Sequence, residues 1–214
     1  MLGLVTLSML GATASENGLE RIMASPVREL SMSSYAPALQ RQSQTQARIV
    51  YPASHMPRLA WPDGGSRPVR SLLQTPQMRH GDYLWDDGGV PQGAVWIHID
   101  LARQLISVFR AGHEIGTAVI LFGAGSKPTP AGVYPILARA ERHRSNLYQA
   151  DMPYMLRLTG DGIAIHASDV RQGRATHGCI GVPLAFAQRL FRRVRRGDLV
   201  AVVGVQKTGS TATR

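Results

Sequence analysis

One stretch of the chain, Ile165 to Pro183, reads IHASDVRQGRATHGCIGVP and holds His166, His177 and Cys179, the sole cysteine of 214 residues. A thiolate is a strong nucleophile. A nearby imidazole takes the thiol proton and later returns it to a leaving amine. Gly178 lets the backbone turn with positive φ or approach a substrate closely. Main-chain N–H groups around Cys179 are then available to a tetrahedral oxyanion. These residue types suit acyl transfer on cysteine. They equally suit a buried, inert thiol, and spacing alone does not choose. His166, Asp169 and His177 match no compact zinc-ligand spacing, and one cysteine excludes multi-thiolate sites and internal disulfides. Neither a metal nor a cofactor is expected.

The flanking pattern supplies the elements that must position these groups. Val95, Ile97 and Ile99 alternate with Trp96, His98 and Asp100, and QLISVFR and IGTAVILF follow after short turns. Three antiparallel strands are predicted. His98 is expected to hydrogen-bond on a sheet face. Pro128 and Pro130 make 123–132 a loop, and VYPILAR is a further strand. YMLRL and GIAIH flank Thr159-Gly160-Asp161, a hairpin turn. His166 ends the second of these strands, and Cys179 stands at the entry to the best helix of the chain. That helix should begin with Pro183 at its first position and stop at Gly197, with Ala187, Leu190, Phe191 and Val194 forming one apolar stripe. Its N-terminus would lower the thiol pKa, modestly at that distance. DLVAVVGV returns as a last strand. The expected fold is mainly β with one packed helix.

The first half reads differently. Leu2 to Leu10 is apolar and is followed by Ala12-Thr13-Ala14, so residues 1–14 are expected to be a secretory signal, although a basic leading region is lacking. Residues 15–92, rich in Ser, Gln and Pro, are expected to form a largely disordered tether ending at WDDGGVPQG. The folded unit is expected over 94–204, with a flexible tail at 205–214. No segment is long enough to span a bilayer.

The net charge is +10. Residues 15–92 carry eight Arg against seven acids, whereas 93–204 carry fourteen Lys and Arg against seven. Such an excess suits nucleic acid, anionic lipid or an anionic wall polymer. No nucleic-acid motif accompanies it. Arg189, Arg192, Arg193, Arg195 and Arg196 lie late in the predicted helix, where its dipole favours cations, which explains the basic run structurally. Arg171 and Arg174 are expected to be solvated.

His166 followed by Thr176-His177-Gly178-Cys179 resembles the signature of the L,D-transpeptidase catalytic domain of the YkuD type. WIHIDLARQLISVFRAG, PTPAGVYPI and HRSNLYQADMPYMLRLTGDGIAIHAS are similar to other parts of that domain, and the resemblance covers about 94–204. It implies a compact β-sandwich-like catalytic domain, exported to the periplasm or cell envelope, acting on peptidoglycan stem peptides. Cys179 matches the nucleophile and His166 the general acid/base. Ala167 matches a residue whose carbonyl holds the imidazole. His177 and Gly178 match the oxyanion loop, and Thr176 and Gly181 match substrate-binding positions. Gly181 is a departure, because the family usually carries Arg or Asn there, and a side-chain contact to the donor is expected to be lost. Asn146 and Tyr154 are expected on the substrate rim; a solvated loop and core packing are their structural alternatives. The acceptor for the acyl group is a second stem, an envelope-protein lysine or water; water would make the chain a carboxypeptidase. Papain-like wall peptidases place Cys before His, and sortases pair the nucleophile with a later Arg, so the order here argues against both. A non-catalytic wall-binding module remains the alternative outside enzymes.

Overall fold

The structure, a computed structural model, describes residues 47–123, 127–145 and 149–204. All lie in one of two compact units, Ala38–Arg214. The expected signal at 1–14, the tether up to residue 46 and the tail at 205–214 lie outside the described residues.

Alternation of apolar residues produces the predicted meander: β6 (Val95–Asp100), β7 (Leu105–Arg110) and β8 (His113–Val119). The three are antiparallel, with Ile97 opposite Val108 and Val108 opposite Gly116. Ile97, Ile99, Ile106 and Val108 face one side and are fully buried. β14 (Leu199–Val203) runs parallel to β6 and antiparallel to β9 (Gly132–Pro135). A second sheet has the order β10 (Ala138–Ala140), β11 (Met155–Arg157), β12 (Ala164–Ala167) and β13 (Ile180–Val182). One continuous core joins the two sheets to the helix, including Ile97, Val108, Ile165, Ile180, Val182 and Phe186. The protein is mainly β with one packed helix among the described residues.

That helix, α1, spans Leu184–Arg193, shorter than its sequence pattern suggests. Pro183 is the extended cap residue rather than the first helical one, and Val194 is already extended, with φ −94° and ψ 157°. The chain leaves early because Val194 is drawn into the core and Asp198 Oδ2 accepts from the Arg195 N–H at 2.7 Å. Gly197 (φ +90°) therefore serves the following turn, not the helix end. Phe186, absent from the predicted stripe, is fully buried, as is Leu190. Trp85 and Tyr83 meet its ring edge-on at 5.5 and 6.2 Å.

The expected disorder of 15–92 fails for residues 47–92. This segment forms β1 (Arg48–Val50), β2 (Arg58–Ala60), β3 (Ser66–Pro68), β4 (Ser71–Leu73) and β5 (Tyr83–Trp85). β5 pairs with β8 antiparallel, β4 meets β8 at Ser71–His113, and β1 pairs with β4. Three-residue strands are too short for alternation to register, and prolines punctuate them. They are held by anchors instead. Trp61, Val69 and Leu73 are buried. Trp61 meets Trp96 edge-on at 6.0 Å, and Trp96 stacks on Phe109 at 3.9 Å. Trp85 lies over Gly116, where any Cβ would come within 2.3 Å of its ring. The buried Glu114 carboxylate accepts from the Leu73 N–H at 2.9 Å. The supposed boundary at WDDGGVPQG is a staple: Arg110 donates to the Asp87 and Val90 carbonyls, and Asp87 pairs with Arg193 at 2.5 Å. The folded unit therefore includes residues 47–92.

Burying Trp61, Val69 and Leu73 contributes roughly 1.5–3 kcal/mol for each side chain. That is a large share of a stability on the order of 5–15 kcal/mol. A chain starting at residue 94 should therefore melt far below one starting at 47, and limited proteolysis should leave a resistant fragment that retains residues 47–92. A stable, cooperatively melting 94–204 fragment would contradict this account.

Candidate active site

β12 and β13 are parallel neighbours, with Ile165 beside Ile180, His166 beside Gly181 and Ala167 beside Val182. Alternate strand residues face opposite sides. Ile165, Ile180 and Val182 point into the core, so His166 points the other way. Cys179, immediately before β13, lies beside Ala164 in this register. The thiol and the imidazole thus line one cleft of about 730 Å³, together with Thr176, His177, Gly178, His143, Arg157 and Asp161.

His166 is half-buried, and its Nδ1 lies 2.9 Å from the Ala167 carbonyl. A carbonyl only accepts, so Nδ1 carries the hydrogen and Nε2 is left as the base. Burial holds the His166 pKa below the ordinary imidazole value, partly opposed by the Ala167 carbonyl. Burial pushes the Cys179 thiol up; the Ala164 backbone opposes this, and the Asp161 carboxylate adds to it. The resting pair is therefore neutral. The expected helix-terminus effect is not among these causes, because β13 intervenes between Cys179 and α1.

The loop before the cysteine is fixed at several points. Thr176 donates its N–H to the Phe122 carbonyl at 3.1 Å and its hydroxyl to the Cys179 carbonyl. Gly178 adopts φ +104°, a conformation that strains any L side chain; a Cβ there would also meet Ile163 Cδ1 at 2.6 Å, a contact that a turn of the isoleucine side chain relieves. The buried Thr129 was not singled out by sequence. Its hydroxyl accepts from the Gly123 N–H at 2.8 Å and donates to the Gly178 carbonyl at 2.9 Å, tying two loops together. The only trace of it in the sequence is a threonine clamped between Pro128 and Pro130.

Other expected site residues are placed elsewhere. Tyr154 does not line the cleft. It has φ +56°, its hydroxyl accepts from Gln188 Nε2 at 3.1 Å, and its ring meets Phe191 edge-on at 5.7 Å. Its aromatic bulk satisfies the helix, not a substrate. Gly181 is buried within β13, exchanges backbone hydrogen bonds with Leu121, and is not a lining residue of the cleft. A Cβ at 181 would lie 2.8 Å from both Cβ and Oγ of Ser168. The position thus has no room for a donor-orienting side chain. Asn146 lies outside the described residues. His143 reaches the cleft wall. His98 remains on the sheet, half-buried, with its pKa lowered by burial and the Ala60 backbone as a partner. Arg171 and Arg174 pair with Asp169 on the exposed loop between His166 and Cys179. Among the described residues no helix is long and apolar enough to cross a membrane, and no cluster of three His, Cys, Asp or Glu side chains could hold a metal.

The family model described as the L,D-transpeptidase catalytic domain (YkuD) matches residues 94–202. A curated relative, L,D-transpeptidase 2 of Mycobacterium tuberculosis (strain CDC 1551 / Oshkosh), is 24% identical over 117 residues, which is 47% of this chain and 29% of the relative. A crystal structure of an Enterococcus faecium L,D-transpeptidase mutant is similar at 26% identity, covering 52% of this chain and 50% of that one, with a TM-score of 0.48. An L,D-transpeptidase from Stackebrandtia nassauensis is similar at 22% identity, covering 53% and 57%, with a TM-score of 0.49. The chain spans less than a third of the curated relative's length, half of the Enterococcus faecium structure and little more than half of the Stackebrandtia nassauensis one.

Two outcomes follow from the geometry. Thr129→Val keeps the side-chain shape but strands a buried N–H, and should cost roughly 1–3 kcal/mol in thermal denaturation. Alkylation of Cys179 by iodoacetamide should rise with pH around a midpoint above that of a free cysteine, since burial disfavours the thiolate. A midpoint below that of a free cysteine would show a preformed thiolate and overturn the neutral pair.

Proposed function

This chain belongs to the L,D-transpeptidase catalytic domain family, and on that premise we propose that it is an exported, cysteine-dependent acyltransferase acting on peptidoglycan stem peptides. The reading is carried by one observation. Cys179 and His166 line the same cleft, with the Ala167 carbonyl on Nδ1 and Nε2 left free to act as base.

The donor is a tetrapeptide stem. Cys179 Sγ attacks the carbonyl carbon of the third residue, while Nε2 of His166 takes the thiol proton. Main-chain N–H groups of the His177–Cys179 turn face the developing oxyanion. The tetrahedral species collapses, the C–N bond to D-alanine breaks, and the imidazolium returns its proton to the departing amine. A thioester remains. An acceptor amine, from a second stem's third residue, then attacks the thioester, giving a 3→3 cross-link and restoring the thiol. Arg157 and Lys127 on the cleft wall, with Asp161 as the opposing charge, suit the carboxylates of a stem peptide. A neutral resting pair suits this order of events: the thiolate is formed against the substrate rather than kept exposed to oxidants.

Incubation with purified tetrapeptide stems, followed by mass analysis, tests the reading. A cross-linked dimer with release of D-alanine is expected. Cys179→Ala should abolish it, and His166→Ala should lower kcat by roughly 10²–10⁴-fold. A trimmed tripeptide alone would make water the acceptor. An unchanged stem with a folded, stem-binding protein would refute catalysis and favour a wall-binding module.

A further inference from the structure

We propose that Ser168 is a positioning residue for His166, and that position 181 is glycine because the Ser168 side chain occupies the space a side chain there would need. The inference rests on the reading of His166 as the base. It concerns residues that reading leaves unused.

Ser168 follows β12 directly. Its N–H donates to the Val182 carbonyl at 2.8 Å, which continues the pairing with β13 by one residue and fixes where the side chain stands. From there Oγ lies 3.4 Å from Nδ1 of His166. Nδ1 already gives its hydrogen to the Ala167 carbonyl, so the hydroxyl is a second acceptor on the same hydrogen, at long range in the neutral state. An imidazolium is a stronger donor and draws its acceptors in. Ser168 therefore favours the protonated ring and opposes rotation about the ring's own axis.

The neighbouring strand leaves room for this arrangement only if it carries no side chain. His166 and Gly181 are register partners, and paired residues on adjacent strands face the same side. The ideal Cβ of residue 181 falls 2.8 Å from both Cβ and Oγ of Ser168 and 3.4 Å from Leu121 Cβ. Contacts of 2.8 Å are closer than a Cβ tolerates, and Leu121 Cβ at 3.4 Å is already in van der Waals contact. Gly181 is held between two backbone hydrogen bonds to Leu121, each 2.9 Å, so the strand cannot shift either. A side chain at 181 must push Ser168 off the ring. The other titratable or charged groups that line the same cleft are Lys127, His143, Arg157, Asp161, His177 and Cys179.

The test uses the alkylation of Cys179 by iodoacetamide, which needs no stem peptide. Near neutral pH the rate depends on help from the imidazole. At strongly alkaline pH solvent removes the proton and that help is irrelevant. Ser168→Ala and Ser168→Gly should each lower the neutral-pH rate roughly fivefold, the size of one net hydrogen bond. Their alkaline limiting rates should match wild type. Gly181→Ala should show the same selective loss together with a lower Tm. In the Ser168→Gly background, Gly181→Ala should add little to either, because the colliding atoms are gone. A wild-type ratio of neutral to alkaline rate in Ser168→Ala would overturn the proposal. So would a Gly181→Ala effect as large with glycine at 168 as with serine. If Gly181→Ala alone does not fold, recovery of folding in the double variant still reads the steric half. Failure of tetrapeptide turnover alongside an intact Ser168 effect would refute the proposed reaction and leave this inference standing.

Discussion

The site depends on the parallel pairing of β12 with β13. Two parallel strands cannot be joined by a tight turn, and the connection usually takes a dozen residues or more. Here residues 168–179 make it without a helix, and their return is fixed by Thr176 reaching Phe122 and by the Thr129 hydroxyl on the Gly178 carbonyl. The same pairing sets the core. Ile165, Ile180 and Val182 are buried on one side of it while His166 faces the cleft on the other. A slip by one residue would send His166 into the core and an isoleucine into the cleft. Hydrophobic burial therefore enforces the register that turns His166 toward the cleft.

The electrostatics follow from the same depth. Desolvation is the largest influence on both His166 and Cys179, and it acts in opposite directions on their pKa values because one group is charged when protonated and the other when deprotonated. Both shifts favour the neutral pair. The Ala167 carbonyl gives back part of the ring's basicity and fixes its tautomer. Separating charge between the thiol and the imidazole is thus opposed by the burial of both.

Much of this was legible in the sequence because period and motif were long enough to read. Val95, Ile97 and Ile99 announce β6, and the His-Gly-Cys run with its upstream histidine announces the family whose model matches residues 94–202. What was missed has physical reasons. β1 to β5 are three residues each, too short for alternation, and they stay ordered through Trp61, Trp85 and the Glu114 carboxylate rather than through pattern. Helix α1 ends early because Val194 is claimed by the core, a tertiary effect that local spacing does not encode. Tyr154 lies in sequence beside the site but turns its ring to the helix. Gly181 reads as a missing contact until its partner Ser168 is seen across the strand, thirteen positions away in the chain. Thr129 acts only through the loops it joins.

The segment before β6 also settles what the large sheet shows to its surroundings. β8 is seven residues long and buried almost throughout, and without β4 and β5 along it, it would end the sheet with a row of unpaired amides and carbonyls. Such an edge recruits strands from other chains. Among the described residues, this side of the sheet then ends at β1 and β5, three residues each, while the far side ends at β9, four residues long and closed by Pro135. Strands this short, one of them closed by a proline, are poor templates. The residues that look least like structure are the ones that keep this sheet from growing.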